Sequence, residues 1–294
     1  MANLKEIRNR ITSVNSTMQI TSAMKMVSAA KLKRAQDAIT QMRPYAEKLQ
    51  DILGNLSSSL DANENPYTQE RAVKSVLIVG INSNRGLCGG FNNYIVKEVR
   101  RLVANEYKDC NVSILPIGKK MNDALKGTEF AIRGSRLPHQ TEKVWDNLNF
   151  DSSSEIAENL MERYTEQSFD KVVLVYNAFK NAASQIITTE QFLPVVPSKE
   201  VAESNTSNDY IFEPSKKEIV TNLIPNSLKI QFYKALLDSN ASEHGARMTA
   251  MHKATDNATS LKKDLQLFYN KARQAAITNE ILEIVGGAEA LNEG

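Results

Sequence analysis

Hydrophobic residues near the start of the chain recur at alternating steps of three and four: Leu4, Ile7, Ile11, Val14 and Met18, then Leu32, Ala35, Ile39, Met42, Ala46, Leu49, Leu53, Leu56 and Leu60. A stripe sustained over so many heptads predicts one long helix in a coiled coil, because only a partner helix covers so extended a seam. At about 1.5 Å per residue that helix would run roughly 85 Å. Pro44 removes one backbone hydrogen bond and predicts a local kink, not an end. Between positions 21 and 28 the stripe fails, because Thr21, Lys25 and Ser28 stand where apolar residues belong, inside ITSAMKMVSAA at Ile20 to Ala30. Two readings stand: a stutter in the coiled coil, or a Met- and Ala-rich surface that slides or repacks.

After the polar stretch Asp61 to Gln69 the period changes. Val76–Val79, Val112–Ile117, Val172–Tyr176 and Gln185–Thr189 read as strands, with Phe130–Arg133 a weaker one. Helical spacing falls between several of them, at Tyr94 to Tyr107 and Ser152 to Gln167. This alternation predicts a small α/β domain with a largely parallel sheet, followed by a polar loop at Ser198 to Asp209. From Ser215 helical spacing returns, and Ala254, Ala258, Leu261, Leu265, Phe268, Ala272 and Ala275 again follow the 3-4 step. The predicted fold class is therefore α/β: a long antiparallel coiled coil of N- and C-terminal helices with an inserted Rossmann-like α/β domain. The boundaries expected are 1–62 for the first helix, 70–213 for the inserted domain and 214–294 for the last helix. Two terminal helices tied together by an inserted domain can pair and bury both stripes.

Charge adds one refinement. Overall, 36 Lys and Arg against 34 Asp and Glu exclude the basic excess of a nucleic-acid binder. Yet residues 1 to 50 hold nine basic and three acidic side chains, so an acidic protein partner fits that segment. Two cysteines without CxxC spacing indicate neither a disulfide framework nor a zinc site. The start, MANLKEIRNRI, lacks a signal-peptide or transit-peptide pattern, and no apolar run reaches the roughly 20 residues that span a bilayer. Membrane association is expected only through another protein.

Candidate chemistry is sparse. The loop NSNRGLCGGFNN, Asn82 to Asn93, sits between a strand and a helix where phosphate could be cradled. However, Gly86, Gly89 and Gly90 do not make GxGxxG, and no Lys-Ser/Thr pair follows, so tight turns and close packing are the expected role. His139, His244 and His252 have no cluster of carboxylates or cysteines around them, so no metal is expected. No nucleophile, base and oxyanion donor assemble, and no cofactor is indicated. In SEHGARMTAMHKATDNA, the residues alone make Arg247 a solvated arginine on a coiled-coil core. In the final segment Ile277, Ile281, Ile284, Val285 and Ala288 share a face beside a polar flank at Arg273, Gln274, Thr278 and Glu280. Gly286-Gly287 is either a C-cap or a close-packing point, since each glycine inside a helix costs about 1 kcal/mol. On these grounds a binding or mechanical protein is favoured over an enzyme, and a coiled-coil scaffold or adaptor is the alternative.

Several blocks, in order, resemble the gamma subunit of F-type ATP synthases, of bacterial type: EIRNRITSV, QITSAMKMVSAAKL, RPYAE, NRGLCGGFN, DYIFEP, ARMTAMHKATDNA, YNKARQAAIT and the terminal ITNEILEIVGGAEA. The resemblance implies a non-catalytic shaft inside a ring of alpha and beta subunits, with its α/β domain meeting epsilon and the c-ring and delta elsewhere in the same sector. Proton flow would turn the shaft, on the cytoplasmic face of the bacterial inner membrane, as a peripheral component. It further implies beta-subunit contacts at Arg273 and Gln274, with Thr278 and Glu280 extending them, and at Met24 and Arg247 in the coupling region. Lys31, Lys33, Arg34 and Arg85 would meet an acidic beta-subunit lever, and Phe212 and Glu213 would touch the c-ring or epsilon.

Overall fold

The computed structural model describes residues 4–57, 66–69, 71–128, 130, 137–138, 141–195 and 216–292. Within them the chain runs as helix α1 (Leu4–Ser57), strand β1 (Ser75–Ile81), helix α2 (Phe91–Arg101), strand β2 (Asn111–Ile117), helices α3 (Lys119–Leu125) and α4 (Phe150–Thr165), strands β3 (Lys171–Phe179) and β4 (Gln185–Leu193), and helix α5 (Lys216–Asn292). The predicted kink site Pro44 lies inside α1, which passes through it, and Pro225 lies inside α5. Of the weak strand expected at Phe130–Arg133, Phe130 forms a turn and the rest lies outside the described residues, as does the loop 198–209.

Contacts divide the chain into two compact units, one of Met1–Val27 with Met248–Gly294 and one of Ser28–Arg247. The larger unit is built on a sheet of order β2-β1-β3-β4. β1 lies parallel to β2 and β3, while β4 returns antiparallel along β3. Alternation along β1 assigns its side chains to opposite faces. Val76 and Ile78 join Ile95 and Val99 of α2 and Met121 and Leu125 of α3 on one face. Leu77, Val79 and Ile81 join α4 and the Leu228, Phe232 and Leu236 face of α5 on the other. Covering both faces is what a mostly parallel sheet requires, and it explains why β1 and β3 read as unbroken aliphatic runs. Within this unit the predicted α1 stripe is buried at Leu32, Ala35, Ile39 and Leu49 and half-buried at Met42 and Ala46.

In the smaller unit α1 and α5 pair antiparallel, and polar side chains mark the register. Thr21 Oγ1 and Thr255 Oγ1 share a hydrogen bond of 2.8 Å. Thr259 Oγ1 donates to Met18 Sδ at 3.4 Å, Lys262 Nζ to Asn15 Oδ1 at 2.7 Å, and Arg8 Nη2 to Tyr269 Oη at 2.8 Å. The α5 stripe needs one correction. Leu261 and Phe268 are 49% and 52% exposed, and Lys262 and Tyr269 take the seam instead, because their long apolar stems pack while their polar tips reach α1 partners.

Candidate functional site: partner-contact surfaces

The glycine loop begins where β1 ends. Asn82 N donates to Ile117 O at 2.7 Å and Ser83 N to Asn92 Oδ1 at 3.1 Å, so its first two amides are bonded within the chain. Ser83 Oγ donates to Arg85 O at 2.6 Å, Asn84 Nδ2 to Glu142 O at 2.8 Å, and Lys119 N to Asn84 Oδ1 at 3.0 Å. Gly118, at φ 106°, lies so close that a Cβ would stand 2.2 Å from Asn82 O; only glycine fits there. At the start of α2, the Tyr94 ring lies against Gly90. The loop is thus a turn tied internally through Asn82, Ser83 and Asn84.

Arg247 is not solvated, contrary to the expectation from the residues alone. It is 7% exposed, and its Nη2 donates to Glu243 Oε1 at 2.6 Å, to Arg85 O at 3.3 Å and to Gly86 O at 3.4 Å. Its Nη1 lies 3.3 Å from His244 Nδ1. Burial raises the Glu243 carboxyl above its ordinary value while Arg247 opposes that rise. Burial, with Arg247 and Lys31 nearby, lowers His244 to about 4. Glu243 and His244 were missed in the sequence, although the Glu243-to-Arg247 spacing of four is the signal of a helical ion pair.

The other basic candidates are outward. Lys31, Lys33, Arg34 and Arg85 are exposed, and Lys33 Nζ pairs with Asp37 Oδ1 at 2.8 Å along the same helix face. An exposed i,i+4 pair of this kind contributes little and leaves the cation accessible. Met24 is half-buried on α1. Phe212 and Glu213 lie outside the described residues.

The end of α5 is a different kind of surface. In the four seam bonds the paired numbers total 276 or 277, which places Leu4, the first described residue of α1, abreast of about position 273. Beyond it Arg273, Gln274, Thr278 and Glu280 are all exposed, with Thr278 Oγ1 donating back to Gln274 O at 2.9 Å. So are the apolar residues: Ile277 47%, Ile281 54%, Leu282 63%, Ile284 68% and Val285 49%. The helix continues through Gly286 and Gly287 to Asn292, which removes the C-cap reading; a Cβ at either glycine would meet nothing within 4 Å in this chain.

Comparison with known proteins matches this arrangement. A family model described as ATP synthase covers residues 3–291. The ATP synthase gamma chain of Christiangramia forsetii is 61% identical over 99% of this chain and 100% of its own length. The chain belongs to the ATP synthase gamma-chain family. The gamma chain of Flavobacterium johnsoniae is likewise 61% identical over the same shares, and that of Cytophaga hutchinsonii 54% over 99% and 100%. Among solved structures, the central stalk and c-ring of the Tetrahymena thermophila mitochondrial ATP synthase contains a chain with TM-score 0.58 and 30% identity, covering 80% of this chain and 99% of that one. A chain of the Euglena gracilis mitochondrial enzyme shares the fold at TM-score 0.68 and 22% identity, over 99% and 95%. Consistent with a gamma-family subunit of a membrane-associated complex, no helix among the described residues is long and apolar enough to cross a membrane.

Proposed function

We propose that this chain is the rotating central shaft of an F1Fo ATP synthase. In this reading its α/β unit meets epsilon and the c-ring, delta belongs to the same F1 sector, and α5 ends inside a ring of alpha and beta subunits. Proton flow through the membrane sector turns the shaft, and its angular position biases the beta sites in turn, which is how one element couples to several distant sites. Phosphorylation of ADP stays with the beta subunits; the chain by itself is non-catalytic and has no ATPase turnover. It works at the cytoplasmic face of the bacterial inner membrane, held there by its partners.

The observation that carries the reading is the end of α5, an apolar helix face left open past the last α1 partner and flanked by Arg273 and Gln274. Apolar side chains in such density at a surface mark a protein interface. Arg273 and Gln274, with Thr278 and Glu280, contact the beta subunit there, and Met24, Lys31, Lys33, Arg34 and Arg85 contact it as well. The test is copurification: the reading requires one copy of this chain with three of each of two ATPase-like partners. A self-associating homodimer would favour the scaffold alternative.

A further inference from the structure

The turn from Asn84 to Leu87 carries two outward side chains on a backbone held from inside. Arg85 is exposed, and Leu87 is 65% exposed with φ 62°. A leucine in the left-handed region is an outlier that persists only where surrounding structure imposes it. The carbonyls just before Leu87 are the ones that Arg247 grips, at Arg85 O and Gly86 O, and Arg247 is itself fixed by Glu243, which is 8% exposed. Ser83 Oγ holds Arg85 O from the other side. Lys120 lies beside Gly86, and Lys31 and Arg85 are near enough to Glu243 to act on its carboxyl. The surface around Leu87 is therefore basic, with one apolar projection at its centre.

We propose that Glu243, acting through Arg247, is a positioning residue that sets the Asn84–Leu87 turn, so that Arg85 and Leu87 dock together onto an acidic, apolar-lined segment of the beta subunit. This rests on the proposed place of the chain in the synthase and deepens it. Charge complementarity selects the acidic segment. The buried Arg247–Glu243 pair makes the docking turn rigid before contact, which spares the ordering cost of binding.

The test uses the assembled complex of this chain with its alpha and beta partners and reads ATP hydrolysis. Arg85→Ala and Glu243→Gln each lower turnover by roughly threefold to tenfold. Combined, they lower it no further than the worse single variant, because Glu243 acts only through the turn. Hydrogen exchange of the amides at 84–90 in the same complex separates the roles: faster in Glu243→Gln and in Arg247→Lys, unchanged in Arg85→Ala. The double variant Glu243→Gln with Arg247→Met, which strands no buried charge, gives the same loss in a chain that folds. Multiplying losses in the combined variant, or unchanged exchange at 84–90, overturn the positioning role alone. A silent Arg85→Ala overturns the beta-contact reading at this turn and the proposal with it.

Discussion

Two buried titratable groups in the larger unit pull the stability of the chain in opposite directions with pH. His244 is lowered from 6.5 to about 4 by burial and by Arg247 and Lys31. Its contribution is complete above pH 6.5 and drains away as the pH falls toward 4. Asp238 is raised from 3.8 to about 6 by burial, which Lys234 and Arg43 oppose and Glu190 reinforces. Its contribution is complete below pH 3.8 and is lost as the pH rises through 6. Between pH 4 and 6 the two effects offset each other. Melting curves across that range should therefore show a shallower loss on acidification for His244→Gln and a steeper one for Asp238→Asn, each differing from the parent by on the order of 2 kcal/mol. Parallel curves for all three proteins would show that neither group titrates differently on folding. At the α1–α5 seam, Thr21→Val removes the 2.8 Å hydroxyl contact but leaves Thr255 bonded to Met251 O at 2.8 Å. The expected loss is about 1 kcal/mol in denaturant titration, and the double change Thr21→Val with Thr255→Val should recover most of it.

At the scale of elements, local pattern was a good guide wherever one period held. The strands at 76–79, 112–117 and 172–176 lie inside β1, β2 and β3; the central β1 and β3 were plainest, because strands buried on both faces read as aliphatic runs. The long α1 and the return of helix after 215 follow from the 3-4 step in the same way. What escaped was decided by tertiary partners. Thr21 interrupts the stripe yet is buried, because the facing helix supplies a hydroxyl at Thr255; Ser28 interrupts it and is buried too. Leu261 and Phe268 match the stripe yet are exposed, since Lys262 and Tyr269 found polar partners on α1. The spacing of four announces a Glu243–Arg247 pair, but its burial depends on the loop at 85–86, which no periodicity announces. The apolar face at the end of α5 was legible for the opposite reason: its period persists where, among the described residues, no α1 side chain covers it, and it is exposed. Gly287 tests that surface. A Cβ there meets nothing within the chain, so Gly287→Ala should leave the free chain as stable or up to about 1 kcal/mol more so by helix propensity, while impairing assembly or turnover of the complex. Normal turnover would mean that no partner packs closely against this glycine.

At the scale of the whole molecule, the proposed beta-subunit contacts give exposed residues a role that can be tested. Arg273 and Gln274 are exposed, so with Arg273→Ala or Gln274→Ala the isolated protein should melt within about 0.5 kcal/mol of the parent. Coupled ATP turnover or assembly with alpha and beta subunits should nevertheless fall, because contacts made only in the complex are lost. Activity equal to the parent in both variants would remove these residues from the beta-contact surface. The purified chain alone should hydrolyse no ATP in a coupled-enzyme assay; turnover abolished by changing Gly86 or Gly89 would instead point to a nucleotide site in the glycine loop.

The unequal ends of the two helices have a mechanical consequence. Among the described residues, α5 runs without an α1 partner from about position 273 to Asn292, some 30 Å at 1.5 Å per residue. Twisting a lone helix deforms only its own backbone hydrogen bonds, whereas twisting the paired stretch must also slide Thr21 past Thr255 and Lys262 past Asn15. The tip is therefore the compliant part of the axle, and a load applied there winds up over a few turns of helix before the pair below begins to yield.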